Sequence, residues 1–147
     1  MSLPNLNAEG DLPPGVHRST LEEVILRFGS GTKERQEAAR RLVHIWELAK
    51  KTGRLQQIVV FGSFVTSKAE PNDVDIILIM NDGFRVEDCD HEAAGVFDHV
   101  RAQHELGASV FWIRPGLLIN DTLELFIQRW QRKRDGNQRG IVEVMND

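Results

Sequence analysis

Two short segments of the sequence contain the residue types that phosphate and metal chemistry require. Gly62 and Ser63 directly follow an apolar run at residues 58–61, and Asp73 and Asp75 begin a second apolar run that ends at Met80. Glycine lets the backbone approach a ligand closely, and backbone amides together with a hydroxyl group can hold phosphate oxygens. The first segment therefore predicts a phosphate-binding turn at Gly62 and Ser63.

The two aspartates predict a metal site. Alternate residues of a strand point to the same side, so the carboxylates of Asp73 and Asp75 should lie together. Two like charges beside the apolar residues 76–79 are costly unless a cation neutralises them, and Mg²⁺ prefers carboxylate oxygens. We therefore expect Mg²⁺, or Mn²⁺ in its place, at this pair.

A plainer interpretation exists for each segment taken alone. Gly62 and Ser63 would then form an ordinary turn, and Asp73 and Asp75 would be solvated carboxylates at the edge of a sheet. The order of the features favours the site, because a strand, Gly-Ser, a turn, Asp-x-Asp and an apolar strand follow one another within residues 58–80.

This order resembles the signature of the polymerase-beta-type nucleotidyltransferase superfamily. The resemblance rests on Phe-Gly-Ser-Phe at 61–64 and Asn-Asp-Val-Asp-Ile-Ile-Leu at 72–78. It implies that Gly62 and Ser63 contact nucleotide phosphates and that Asp73 and Asp75 ligate Mg²⁺. It also implies transfer of a nucleoside monophosphate from a nucleoside triphosphate (NTP) to an acceptor hydroxyl, with release of pyrophosphate. A wider likeness, at 12–17, 62–66 and 111–115, is to an uncharacterised bacterial group of nucleotidyltransferase-like proteins.

The sequence departs from the superfamily pattern in one respect. Active members usually bring a third carboxylate from a later strand, and the strand predicted at 109–113 contains no acid. Glu143 on the last predicted strand could supply it, although a solvated position at the sheet edge is the plainer expectation. The alternative function is a catalytically inactive protein of the same fold that acts as a nucleotide sensor or an antitoxin-like binding module.

Hydrophobic periodicity and capping residues predict the elements that position these segments. Helices are expected at 19–29, 32–51, 90–105 and 121–130, with Ser19 and Asp121 as N-caps, and strands at 58–61, 74–80, 108–113 and 141–144. The last strand is expected at an edge, and the charged residues of the second helix on its solvent face. Residues 1–18 are expected to form an extended arm and residues 19–147 a single domain. The predicted fold class is α/β or α+β, a small mixed β-sheet flanked by helices.

Composition restricts the classes of partner and compartment. The 147 residues carry a formal net charge of −4, which argues against binding nucleic acid through bulk positive charge. Cys89 is the only cysteine, so no intramolecular disulfide forms and a reducing compartment is the simplest setting. No apolar run approaches membrane-spanning length and no secretory signal is recognisable, so we expect a cytoplasmic protein.

Several smaller features leave alternatives open. A basic stretch near the C-terminus forms either a solvated face or a contact to the phosphates of a nucleotide or RNA. Its members are Arg129, Arg132, Lys133, Arg134 and Arg139. Lys68 either approaches the triphosphate or is solvated, and Trp112 suits the core better than base stacking. A protein partner or a second copy of the chain would recognise the acceptor.

Overall fold

The computed structural model describes residues 3–71 and 73–145. Met1, Ser2, Asn72, Asn146 and Asp147 lie outside the described residues, and Asn72 is the first position of the predicted motif at 72–78. Helices and strands alternate irregularly along the chain. In order they are β1 Val16–Ser19, α1 Leu21–Phe28, α2 Lys33–Lys51, β2 Leu55–Phe61, β3 Val74–Met80, α3 His91–Val96, α4 His99–Arg101, β4 Ala108–Ile113, α5 Leu123–Gln128 and β5 Ile141–Val144.

The strands form a five-stranded mixed sheet in the order β1-β5-β2-β3-β4. The outer pairs, β1 with β5 and β3 with β4, are parallel, whereas the inner pairs, β5 with β2 and β2 with β3, are antiparallel. Because β2 and β3 are antiparallel, the end of β2 lies beside the start of β3, with Phe61 opposite Asp75. The connection between them therefore returns to the point where the two predicted motifs meet.

Apolar side chains cover both faces of this sheet. On one face, Ile58, Val60, Ile76 and Leu78 pack in one buried cluster with Leu42 and Ile45 of α2. On the other, Val59, Ile77 and Ile79 pack with Ile127 of α5 and with Ile141. Strands with apolar residues on both faces read as continuous hydrophobic runs, which explains why β3 was predicted to its correct ends. The predicted fold class is confirmed.

The predicted position of the last strand is wrong. β5 does not lie at an edge, since Ile141–Val144 pairs with β1 on one side and with β2 on the other. The edge is occupied by β1, which lies within the segment predicted to be an extended arm. Val16–Ser19 contains His17 and Arg18 beside a single valine, so its composition gives no strand signal, and pairing with β5 determines its conformation.

Two helix starts and one helix end also differ from prediction. The N-caps are Thr20 and Thr122, each one residue after the predicted Ser19 and Asp121. The carbonyl of Ser19 accepts a hydrogen bond from the amide of Met145, which extends the pairing of β1 with the strand Ile141–Val144. The predicted helix at 90–105 is interrupted, because α3 ends at Val96 and a new helix, α4, begins after Asp98. The Asp98 side chain accepts hydrogen bonds from backbone amides in the first turn of α4. α4 then continues as a π-helical turn to Leu106.

Candidate functional site

Asp73 and Asp75 lie together at the start of β3. Asp75 is the second residue of that strand and is flanked by Phe61 on β2 and Ser109 on β4. Asp73 immediately precedes the strand, and its Oδ2 accepts a hydrogen bond of 3.2 Å from the Ser109 hydroxyl. Both aspartates are half-buried. The structure thus brings the two predicted carboxylates to one side of the sheet, next to a common hydroxyl group.

Gly62 lies against the Asp75 carboxylate. Its backbone has φ of 79° and ψ of −162°, a conformation that favours glycine. A Cβ placed on Gly62 would overlap Oδ2 of Asp75 and lie 2.9 Å from its Cγ. Ser63 follows directly and begins a short 3₁₀ turn that ends at Val65. The Gly-Ser turn and the aspartate pair therefore form one contiguous group of atoms.

The electrostatic environment of Asp75 disfavours its negative charge. Burial raises the pKa of this carboxyl to about 6, and the neighbouring charge of Asp73 acts in the same direction. Arg139 and the Ser109 hydroxyl lower the pKa, but by less. A cation bound between the two carboxylates would relieve both the desolvation and the repulsion.

The loop that follows the Gly-Ser turn is held by a buried arginine. Arg35 of α2 donates to the carbonyl of Phe28 at 3.1 Å and to that of Phe64 at 2.8 Å, and it also donates to the carbonyls of Thr66 and Lys68. Burial lowers its pKa. The prediction that the charged residues of this helix face solvent is wrong for Arg35. Three of its four carbonyl partners lie in the loop at 64–68, about 30 residues away along the chain, which no local pattern reveals.

No third acid completes the aspartate pair within residues 3–71 and 73–145. No group of three or more histidine, cysteine, aspartate or glutamate side chains there could hold a metal ion. On β4, the position beside Asp75 is occupied by Ser109. A hydroxyl therefore stands where a carboxylate from this strand would lie.

Glu143 does not fill that role, and the prediction of a solvated edge position is also wrong. It lies opposite Val59 in the interior of the sheet, with only 15% of its side chain exposed. Strand spacing and rise place its Cα about 12 Å from that of Asp75. Its carboxylate forms an ion pair of 3.1 Å with Arg18 on β1, so it is directed away from β3.

An aromatic cluster borders the site on the face covered by α5. The ring of Trp130 lies 4.9 Å from that of Phe61 and 5.0 Å from that of Phe111, between centroids. Trp112, by contrast, packs edge-on against Phe84 and Phe97 in the opposite core, and its Nε1 donates to the Phe97 carbonyl. The core role expected for Trp112 is confirmed.

The N-terminal segment, which was predicted as an extended arm, also contacts the loop that follows the Gly-Ser turn. Leu12 is fully buried, and Asp11 is 5% exposed. Asp11 pairs with Thr66 in an isolated β-bridge, and the amide of Ser67 donates to the carbonyl of Gly10. This burial is not predicted by the composition of the segment, which is rich in proline, glycine and polar residues.

Cys89 and the cavity near it do not form a second candidate site. Cys89 is half-buried, and burial with nearby acidic charges raises the pKa of its thiol, which disfavours a nucleophilic thiolate. A cavity of about 470 Å³ lies near this cysteine and the end of α2, lined by basic residues such as Arg54 and acidic residues such as Asp88. Because its charges have both signs and it lies far from the aspartate pair in the fold, we assign it no chemistry.

Comparison with known proteins identifies the family. A family model described as a family of unknown function, DUF6932, matches residues 4–145. The chain belongs to the DUF6932 family. The match runs from the N-terminal segment to the last residue described after β5, so it covers both predicted motifs of this DUF6932 chain. No curated protein and no solved structure matches it. No described helix of this DUF6932 chain is long and apolar enough to cross a membrane.

Proposed function

We propose that this DUF6932 protein is a Mg²⁺-dependent nucleotidyltransferase that transfers a nucleoside monophosphate from an NTP to an acceptor hydroxyl. The observation that carries the proposal is the contact between Gly62 and the Asp75 carboxylate. It joins the Gly-Ser turn to a pair of carboxylates, and a phosphate-binding turn and carboxylate ligands for the metal are the two components that a metal-bound triphosphate requires.

The donor set fits Mg²⁺. Asp73 and Asp75 would hold the ion with oxygen ligands, and Mg²⁺ typically accepts one or two carboxylates while substrate phosphates and water fill its other positions. When bound, the ion would neutralise charge on the phosphates of the substrate. Ser109 would keep the Asp73 carboxylate in place through its hydroxyl, and Gly62 and Ser63 would position the phosphates.

The chemical step follows from this arrangement. The acceptor oxygen would attack the α-phosphorus, and the bond from that phosphorus to the oxygen that bridges to the β-phosphate would break. Pyrophosphate would leave, and the acceptor proton would pass to solvent. The acceptor itself would be recognised by a protein partner or by a second copy of the chain.

The test is a labelling assay with the full chain. Purified protein is incubated with Mg²⁺ or Mn²⁺ and each α-phosphate-labelled NTP, alone and with cell extract, and NTP binding is measured by calorimetry. We expect metal-dependent binding and label transfer from wild type, and neither from the Asp73→Asn, Asp75→Asn double variant. Asp88→Asn, which changes an exposed acid distant from the site, serves as the control.

The absence of triphosphate binding by wild type would reject the nucleotidyltransferase proposal. Binding or transfer that survives in the double variant would reject the assignment of the two aspartates.

A second candidate is a catalytically inactive protein that binds nucleotides as a sensor or as an antitoxin-like module. The observation that favours it is the position of Ser109 beside Asp75, where a third carboxylate is absent from the described residues. If this candidate is correct, we expect NTP binding that depends on Asp73 and Asp75, and no label transfer. We would also expect the double variant to keep binding its protein partner. If the protein is an enzyme, the same variant would lose its biological effect.

A further inference from the structure

At the edge of the candidate site, a buried acid of the N-terminal segment meets two cations from residues 133–139. Asp11 lies within hydrogen-bonding reach of Lys133, whose Nζ is 2.8 Å from Oδ2, and within 3.6 Å of Arg139, measured from Nη1 to Oδ1. We call these three residues the Asp11 cluster. The Asp11 side chain is 7% exposed, whereas those of Lys133 and Arg139 are 20% and 27% exposed.

The cations are carried by a folded hairpin. The amide of Arg139 donates to the carbonyl of Gln131, the amide of Lys133 donates to that of Asn137, and Arg132 pairs with Gln138 in an isolated bridge. The backbone that carries the two cations is therefore held in place. Of the other basic residues predicted to form a solvated face, Arg132 and Arg134 are exposed and Arg129 forms an ion pair with Asp121.

The cluster lies beside the Gly-Ser turn. β5 runs antiparallel to β2 with Val142 opposite Val60, so the residues just before β5 lie next to those just after β2. Asp11 is bridged to Thr66 in the loop that follows the turn.

Arg139 has a single and long ion contact, whereas Lys133 is closely paired. At 3.6 Å, the Arg139 guanidinium does not form a close bidentate pair with Asp11. Its remaining N–H donors stay available to a second anion, and a guanidinium offers the planar donor pattern that matches phosphate oxygens. Lys133 is shared between Asp11 and Glu9, whose Oε2 lies 3.8 Å from Nζ. The cation of the cluster that remains available to a triphosphate bound at the aspartate pair is therefore Arg139.

We propose that Arg139, supported by Lys133, binds the β- and γ-phosphates of the triphosphate and the pyrophosphate that leaves. This inference rests on the proposed function and names the residues that hold its leaving group. When the bond between the α-phosphorus and the bridging oxygen breaks, the electron pair stays on that oxygen, and Arg139 stabilises the negative charge that develops on pyrophosphate. The competing explanation is that the cluster only attaches the N-terminal segment to the hairpin.

Two variants separate these explanations because both remove an ion pair of the cluster. Arg139→Gln removes the phosphate donor, whereas Asp11→Asn leaves both cations in place. Binding of inorganic triphosphate and of pyrophosphate, each with Mg²⁺, is measured by calorimetry for the full chain. We expect Arg139→Gln to weaken binding about tenfold or more and Asp11→Asn to bind at least as tightly as wild type. Arg134→Gln, which removes the same charge from the same hairpin, should bind like wild type.

The thermal midpoint of each variant is measured alongside, and Arg139→Lys provides a variant that keeps the charge. We expect Arg139→Lys to retain the wild-type midpoint and to bind with intermediate affinity. Equal losses of affinity in Arg139→Gln and Asp11→Asn would overturn the inference in favour of an attachment role. Wild-type affinity in Arg139→Gln, with binding still dependent on Asp73 and Asp75, would overturn it while leaving the proposed function intact. No binding by wild type would overturn both.

Discussion

The absence of a side chain at Gly62 directly determines the geometry of the site. It combines a positive φ with a direct contact to the Asp75 carboxylate, and either feature alone would restrict the position to glycine. Gly53 has a similar φ of 72° but no atom within 4 Å of the place where a Cβ would lie. Gly53 therefore provides a comparison at a positive φ where an added Cβ would make no contact.

We expect Gly62→Ala to lower the free energy of unfolding by about 2 kcal/mol and Gly53→Ala by about 1 kcal/mol, since only the first adds an overlap to the strain of a positive φ. Gly62→Ala should also lose Mg²⁺-dependent triphosphate binding, which Gly53→Ala should keep. Urea unfolding and calorimetry measure the two effects. Equal destabilisation by both variants would show that the contact with Asp75 has no energetic weight.

Asp75 is expected to reduce the stability of the metal-free protein at neutral pH. Its pKa in the folded state is about 6, above the ordinary value of 3.8, so the folded protein binds a proton more tightly than the unfolded chain between these values. Stability from this group is therefore present at low pH and is lost as pH rises towards about 6.

The matching prediction concerns Asp75→Asn in the presence of a chelator. At pH 7.5 we expect the variant to be more stable than wild type by about 1 kcal/mol, since solvent partly screens the half-buried carboxylate. The difference should shrink as pH falls from about 6 to 4. Thermal unfolding at several pH values measures it, with Asp88→Asn as the control. A constant difference across this range would contradict the raised pKa.

At the scale of elements, α2 and the loop at 64–68 act as a unit through Arg35. The buried guanidinium donates to four backbone carbonyls, including that of Phe64 in the turn that begins at Ser63. Unsatisfied buried polar groups are costly. Arg35 thus stabilises the conformation of the phosphate-binding turn although it lies on another element.

We expect Arg35→Met to lower the free energy of unfolding by about 3 kcal/mol, because it removes a buried charged donor and leaves its carbonyl partners unpaired. Arg40→Met should change it by less than about 0.5 kcal/mol, because Arg40 lies on the exposed face of the same helix and forms only a long ion contact with Glu37. Urea unfolding monitored by circular dichroism compares them. Similar values for the two variants would refute the role of Arg35.

The elements also show where sequence reasoning succeeds. β3 and α2 were predicted closely because their patterns are local: a continuous apolar run for a strand buried on both faces, and a helical repeat ended by Thr32 and Thr52. The proximity of the Gly-Ser turn to the aspartate pair is likewise local, since the two motifs lie on consecutive strands. β1, the interior position of β5 and the burial of Arg35 were missed, because each depends on contacts between residues far apart in the chain.

On the scale of the whole molecule, the N-terminal segment is part of the fold. Leu12 is fully buried in the main core, the amide of Gly140 donates to its carbonyl, and the segment continues into β1, which pairs with β5. The first and last segments of the chain are therefore joined in one sheet beside the candidate site. A domain organised in this way should unfold in one cooperative transition that includes its N-terminal residues.

Leu12→Ala tests this organisation. We expect it to lower the free energy of unfolding by about 3 kcal/mol, the usual cost of a cavity left by a fully buried leucine, without changing the dependence on urea concentration. Leu26→Ala, at a position that is 72% exposed, should change it by less than about 0.5 kcal/mol. Tryptophan fluorescence and circular dichroism should report the same midpoint for each variant. If Leu12→Ala unfolds at the same urea concentration as wild type, the N-terminal segment is a separable arm and not part of the cooperative fold.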